Sequence, residues 1–173
     1  SNQSPMKQHR LLFKTVTVHH DVIIEGQPQI NLRIKSSRNF GLLSAMLVDY
    51  GKCKRLTISP QVIFPKGIYQ GYNWKTDDLK EFKFQKHPTP FKEIVVGHLN
   101  LQNRHSAYQV DNLRPNQWVN VSLKLQPTFF HLLAGHQLGL VVFATDFAMT
   151  IRGNQRIRYT IDPQNSNLIV PIN

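Results

Sequence analysis

A chain of 173 residues, 40% hydrophobic and 18% charged, is long enough to bury one core without a metal, and its single cysteine, Cys53, excludes an internal disulfide. The 21 Lys and Arg against 10 acids give a formal charge of +11, dispersed from Lys7 to Arg158 and dense only over 75–92, which favours a basic solvated surface over a nucleic-acid site. No apolar run approaches the ~20 residues of a bilayer span, the opening residues lack a signal-peptide stretch, and nothing demands an oxidising compartment, so the expected setting is cytoplasmic.

In chain order, residues 1–9 are taken as a flexible or expression-derived lead-in to a single domain over 1–173. Period-2 alternation, the mark of a strand with one buried face, begins at 15–18 with Val16 and Val18. It recurs at 29–35, where Ile30, Leu32 and Ile34 point one way and polar neighbours the other. Between 60 and 90 the rhythm stops. There Tyr69, Tyr72, Trp74, Phe82 and Phe84 intermix with lysines, which predicts a long inserted loop of the kind that contacts a partner. Alternation resumes at 95–101, with Val95, Gly97, Leu99 and Leu101 or their opposites inward, and again at 119–125. The stretch 138–145 is nearly all apolar and rich in β-branched residues, which predicts a central strand covered on both faces. Residues 157–161 and 168–170 supply two late strands. Turn signals such as Gly26-Gln27-Pro28, Arg114-Pro115-Asn116 and Gly153-Asn154 fall between these runs. Many short strands with no amphipathic helix predict an all-β fold, a two-sheet antiparallel sandwich of jelly-roll or related type carrying a long inserted loop.

Catalytic chemistry finds little support. An α/β-hydrolase nucleophile sits in Gly-x-Ser-x-Gly, because the serine must ride a sharp strand-to-helix turn; no serine here has a glycine two residues away, and the βαβ alternation is missing. His19 and His20 are adjacent, so a regular strand would point them to opposite faces. With no His-Glu-x-x-His, no cysteine pair and only Asp77-Asp78 as an acidic pair, neither metal ligands nor a cofactor site are expected. The aromatics Tyr69, Tyr72, Trp74, Phe82 and Phe84, beside Lys75, Lys80, Lys83 and Lys86, are the candidate contact surface. They fit packing on the sandwich or contact to a neighbouring domain better than stacking on bases or sugars.

Three stretches stand out by their wording: Leu32-Arg33-Ile34-Lys35-Ser36-Ser37, Gly41-Leu42-Leu43-Ser44-Ala45-Met46-Leu47-Val48-Asp49-Tyr50-Gly51 and Gly97-His98-Leu99-Asn100-Leu101-Gln102-Asn103-Arg104. They resemble the carboxy-terminal domain of the X-prolyl dipeptidyl aminopeptidases of lactic acid bacteria, in the cocaine esterase-like α/β-hydrolase superfamily, which implies a jelly-roll sandwich of galactose-binding-like type. Later come Leu125-Gln126-Pro127-Thr128, Gly135-His136-Gln137-Leu138-Gly139-Leu140 and Tyr159-Thr160-Ile161-Asp162, all in the family's order. The resemblance covers most of 25–172 and is weakest over 60–90. It implies a non-catalytic accessory domain whose partner is an α/β-hydrolase domain of the same polypeptide, the whole being a cytoplasmic, homodimeric serine exopeptidase that releases Xaa-Pro dipeptides from proline-containing peptides. The catalytic triad of that family lies in the hydrolase domain, so no catalytic residue is carried onto this chain, and no cofactor, nucleic acid or membrane is implied. The alternative is a stand-alone carbohydrate- or nucleic-acid-binding sandwich.

Overall fold

The computed structural model describes residues 10–62, 80–144 and 157–173. The chain groups into two compact units, Ser1–Tyr50 with Lys92–Asn173, and Gly51–Phe91. Among the described residues the only helical element is a 3-10 turn, Leu101–Asn103, capped by the Asn100 side chain. No helix there is long and apolar enough to cross a membrane.

The first unit is built from antiparallel sheets whose alternating residues meet in one core. One sheet has the order β1 (Arg10–Lys14), β10 (Gln137–Phe143), β4 (Leu42–Cys53), β7 (Thr89–Asn100). A second has the order β11 (Tyr159–Ile169), β3 (Gln29–Ser36), β8 (Val119–Lys124), and a two-stranded sheet pairs β2 (Val22–Gly26) with β9 (Thr128–Leu132). Successive residues of a strand face opposite sides. Leu43, Ala45 and Leu47 of β4 therefore join Leu138, Leu140 and Val142 of β10 on one wall. Ile30, Leu32 and Ile34 of β3 with Val121 and Leu123 of β8 form the other, and all of these are buried in a single cluster. The expected sandwich is thus present, and its core is made by the period-2 runs that the sequence displays.

β10 lies between β1 and β4, and its burial continues through Val141 as well as Leu140 and Val142, as expected for a strand covered on both faces. Position 145, the end of that expected strand, lies outside the described residues.

Three details differ from the sequence reading. Residues 15–18 are not a strand: the strand is Arg10–Lys14, one step earlier. The reason is visible at Thr15, whose hydroxyl accepts the Leu138 N–H at 3.1 Å in place of a main-chain carbonyl, ending the ladder. The two late strands are one, β11, paired with β3 on both sides of a register shift between Asp162 and Asn167. Pro163 has no N–H to offer the ladder. Across the shift the Arg33 N–H donates to Ser166 Oγ at 3.0 Å, and that hydroxyl donates to the Asp162 carbonyl at 2.6 Å.

The third difference concerns the expected loop over 60–90. Its flanks are regular: in the second unit β5 (Leu56–Val62) pairs antiparallel with β6 (Lys80–Phe84). The alternation there is brief, and the register shifts between Ile58 and Val62, around Pro60. Too few residues lie on either side of that break to show a period.

Candidate functional site

Of the candidate contact surface, Phe82 and Phe84 lie on the β5–β6 ribbon. Paired residues of an antiparallel ladder share a face, as do residues two apart on one strand. Leu56 pairs with Phe84, and Phe82 lies two residues from Phe84, so Leu56, Phe82 and Phe84 occupy one face. They are 53%, 64% and 66% exposed. Thr57 and Lys83 pair on the opposite face. Tyr69, Tyr72 and Trp74, the other aromatics of the expected surface, lie outside the described residues.

Arg55 anchors the ribbon, a role that composition hides because a buried arginine counts as surface charge. It is 7% exposed, donates from Nη2 to the Gly51 carbonyl at 2.8 Å, and from Nη1 to Thr89 Oγ1 at 2.9 Å and the Thr89 carbonyl. Its own carbonyl accepts the Gln85 N–H at 2.8 Å. One guanidinium thereby ties the start of β5 to the chain on both sides of the ribbon. Charge-assisted bonds of this kind are among the stronger ones in a protein. The segment 51–91 carries eight Lys and Arg against three acids, so this stretch of the sequence is basic.

Three polar pairs elsewhere have the residue types of hydrolytic chemistry. Ser44 Oγ lies 2.8 Å from His98 Nδ1, between the neighbouring strands β4 and β7. Ser44 is 0% exposed, so no substrate carbonyl reaches its oxygen. His136 Nδ1 lies 2.7 Å from Asp49 Oδ1, and both residues are buried where β10 begins beside β4. His131 Nε2 lies 2.7 Å from Asp21 Oδ2 at the surface, and Asp21 Oδ1 accepts the Ala134 N–H at 2.7 Å. The backbone bond from Ala134, followed by the His131 side chain, holds the Asp21 carboxyl below its usual range. A nucleophile must be reachable, with its base oriented behind it. The buried Ser44 and the surface pair fit tying of loops and strands, not acyl transfer. His19 and His20, adjacent to Asp21, lie in the bend before β2, exposed.

Known proteins share both the sequence and the fold. A family described as the X-Pro dipeptidyl-peptidase C-terminal non-catalytic domain matches residues 2–170. An Xaa-Pro dipeptidyl-peptidase of Pediococcus pentosaceus is 45% identical over 172 residues, which are 99% of this chain and 21% of that protein. The Xaa-Pro dipeptidyl-peptidase of Lactiplantibacillus plantarum is 47% identical over 169 residues, 98% of this chain and again 21% of the relative. The chain therefore spans about a fifth of the length of these curated relatives. Among solved structures, an α-amino acid ester hydrolase superposes with a TM-score of 0.64 at 15% identity, covering 99% of this chain and 27% of that one. A CocE/NonD-family hydrolase from Staphylococcus aureus gives 0.59 at 17% identity, covering 96% and 31%. At such identities the likeness is one of fold alone.

Proposed function

The chain belongs to the X-Pro dipeptidyl-peptidase C-terminal non-catalytic domain family, and from that premise we propose that it is the accessory domain of a cytoplasmic serine exopeptidase that releases Xaa-Pro dipeptides from peptide amino ends. The observation that carries this reading is the pairing of two lengths: nearly the whole chain aligns at 45–47% identity, yet it fills only 21% of each relative. A domain of that kind contributes walls and packing. The serine nucleophile, its base and its oxyanion donors belong to the remaining polypeptide. Beside that catalytic part, a rigid sandwich limits access to the active site to short, extended amino ends and stiffens the loops it touches. The full protein acts as a homodimer in this reading.

A stand-alone sugar- or nucleic-acid-binding module is not favoured, because a similar sequence, 45–47% identical, occurs in relatives named as peptidases and makes up about a fifth of each. The test is hydrolysis of an Xaa-Pro chromogenic substrate. The 173-residue chain alone is expected to leave it intact, and the full polypeptide carrying the chain as its carboxy-terminal part is expected to hydrolyse it. Turnover by the isolated chain, or none by the full polypeptide, would sink the reading.

A further inference from the structure

We infer that the Leu56–Phe82–Phe84 face of the β5–β6 ribbon is a docking surface, and that its occupant is the portion of the same polypeptide lying outside these 173 residues. The inference rests on the accessory-domain reading and adds to it which face of the chain meets the rest of the protein.

The argument begins with the ribbon's architecture. A two-stranded hairpin is marginal in water unless one face packs against something. Among the described residues the β5–β6 sheet has two strands only. Its strand ends are anchored through Arg55, which is buried against Gly51 and Thr89. The Leu56–Phe82–Phe84 face, by contrast, holds a leucine and two phenylalanines that are each more than half exposed. Contiguous exposed apolar groups of that size on a sheet face mark an interaction site, because each phenylalanine forfeits its largest stabilising contribution while it stays wet.

Length and charge identify the occupant. Relatives matching this chain end to end are about five times as long, so most of the surface available to this face is on the same polypeptide. The segment 51–91 is basic, eight Lys and Arg against three acids, with Lys86 exposed two residues after Phe84. A second copy of so basic a segment would bring like charges together. The complementary surface is an apolar patch rimmed by carboxylates.

Amide hydrogen exchange read by mass spectrometry tests this in the isolated chain and in the full polypeptide. Peptides covering 56–62 and 80–84 are expected to exchange about tenfold more slowly in the full polypeptide, as when local opening is suppressed by a partner surface. The double variant F82S/F84S is expected to abolish that difference, while the isolated variant chain melts like its parent because both side chains are already exposed. Equal exchange in the isolated chain and the full polypeptide would overturn the inference. Protection that appears in the isolated chain only as its concentration rises would also overturn it, since a second copy would then be the occupant. Absence of Xaa-Pro hydrolysis by the full polypeptide counts against the accessory-domain reading alone, because exchange reports the ribbon's burial independently of turnover.

Discussion

The hydroxyl of Tyr159 closes on the main chain of Leu42, accepting its N–H at 2.9 Å and donating to its carbonyl at 3.2 Å. Tyr159 opens β11 and Leu42 opens β4, so this one side chain joins an edge strand of one sheet to an inner strand of the other. Burial pushes the phenol up to about 12, with the Leu42 N–H pulling slightly the other way.

A pH dependence follows. The unfolded phenol ionises near 10 and the folded one near 12, so the stabilisation from this group is complete below pH 10 and is lost as pH rises towards 12. Chemical denaturation at pH 9 and pH 11 is expected to show a larger loss for the parent chain than for Y159F. At pH 7 the same variant should cost about 1–2 kcal/mol, since it leaves the Leu42 N–H without its buried acceptor. An equal loss between pH 9 and 11 in both proteins would refute the assignment.

Gly41 is the space in which the Tyr159 ring sits. A Cβ at position 41 would overlap the phenol oxygen and lie 2.9 Å from Cε1. The ring is held by its bonds to Leu42 and cannot swing aside freely. G41A is expected to destabilise by about 2 kcal/mol, in the range of overpacked cores. Thermal melting of G41A, Y159F and the double variant checks the coupling: the two costs should be less than additive, because both disturb one contact.

The core and the surface should respond very differently to truncation. Ile34 is 0% exposed on β3, whereas Val16 is 83% exposed in the segment after β1. I34A is expected to cost about 2–5 kcal/mol through lost burial and a residual cavity. V16A should stay within about 0.5 kcal/mol of the parent, as surface substitutions do. Urea midpoints with unchanged slopes would verify both values.

Arg55 makes a local prediction. R55A removes the donors that reach Gly51 and Thr89, and it should loosen the ribbon by about 2 kcal/mol or more, the range for charged hydrogen bonds. Exchange of peptides from β5 and β6 should quicken, while peptides from β3 and β8 keep their rates. R55K should recover only part of the loss, because an ammonium lacks the planar fork that spans both partners. Uniform quickening across all four strands would contradict this local role.

Acid should act through Asp21 and Asp162. Both carboxyls are held below the usual range, Asp21 first by the Ala134 N–H and Asp162 first by the Asn165 side chain. A lowered folded value means stability that is present above pH 3.8 and fades as pH falls through the folded value. D21N is expected to flatten the decline between pH 4 and pH 2 on an acid titration followed by circular dichroism, and a profile identical to that of the parent would rule Asp21 out as a contributor.

The amino-acid order by itself determined the all-β class, the inward residues of β3, β8 and β10, and the family, because each rests on local alternation or on wording along the chain. Ile30, Leu32 and Ile34 had only one way to be buried together once paired, and they are. Only the tertiary structure decided the rest. Whether 157–161 and 168–170 were two strands or one depended on both pairing with β3 around a bulge, and such long-range pairing leaves no local period. That Arg55 is buried, that Ser44 is out of reach beside His98, and that Leu56 joins Phe82 and Phe84 on one exposed face are facts of register and burial. They arise from contacts between residues distant in sequence, where no spacing along the chain records which side chains meet.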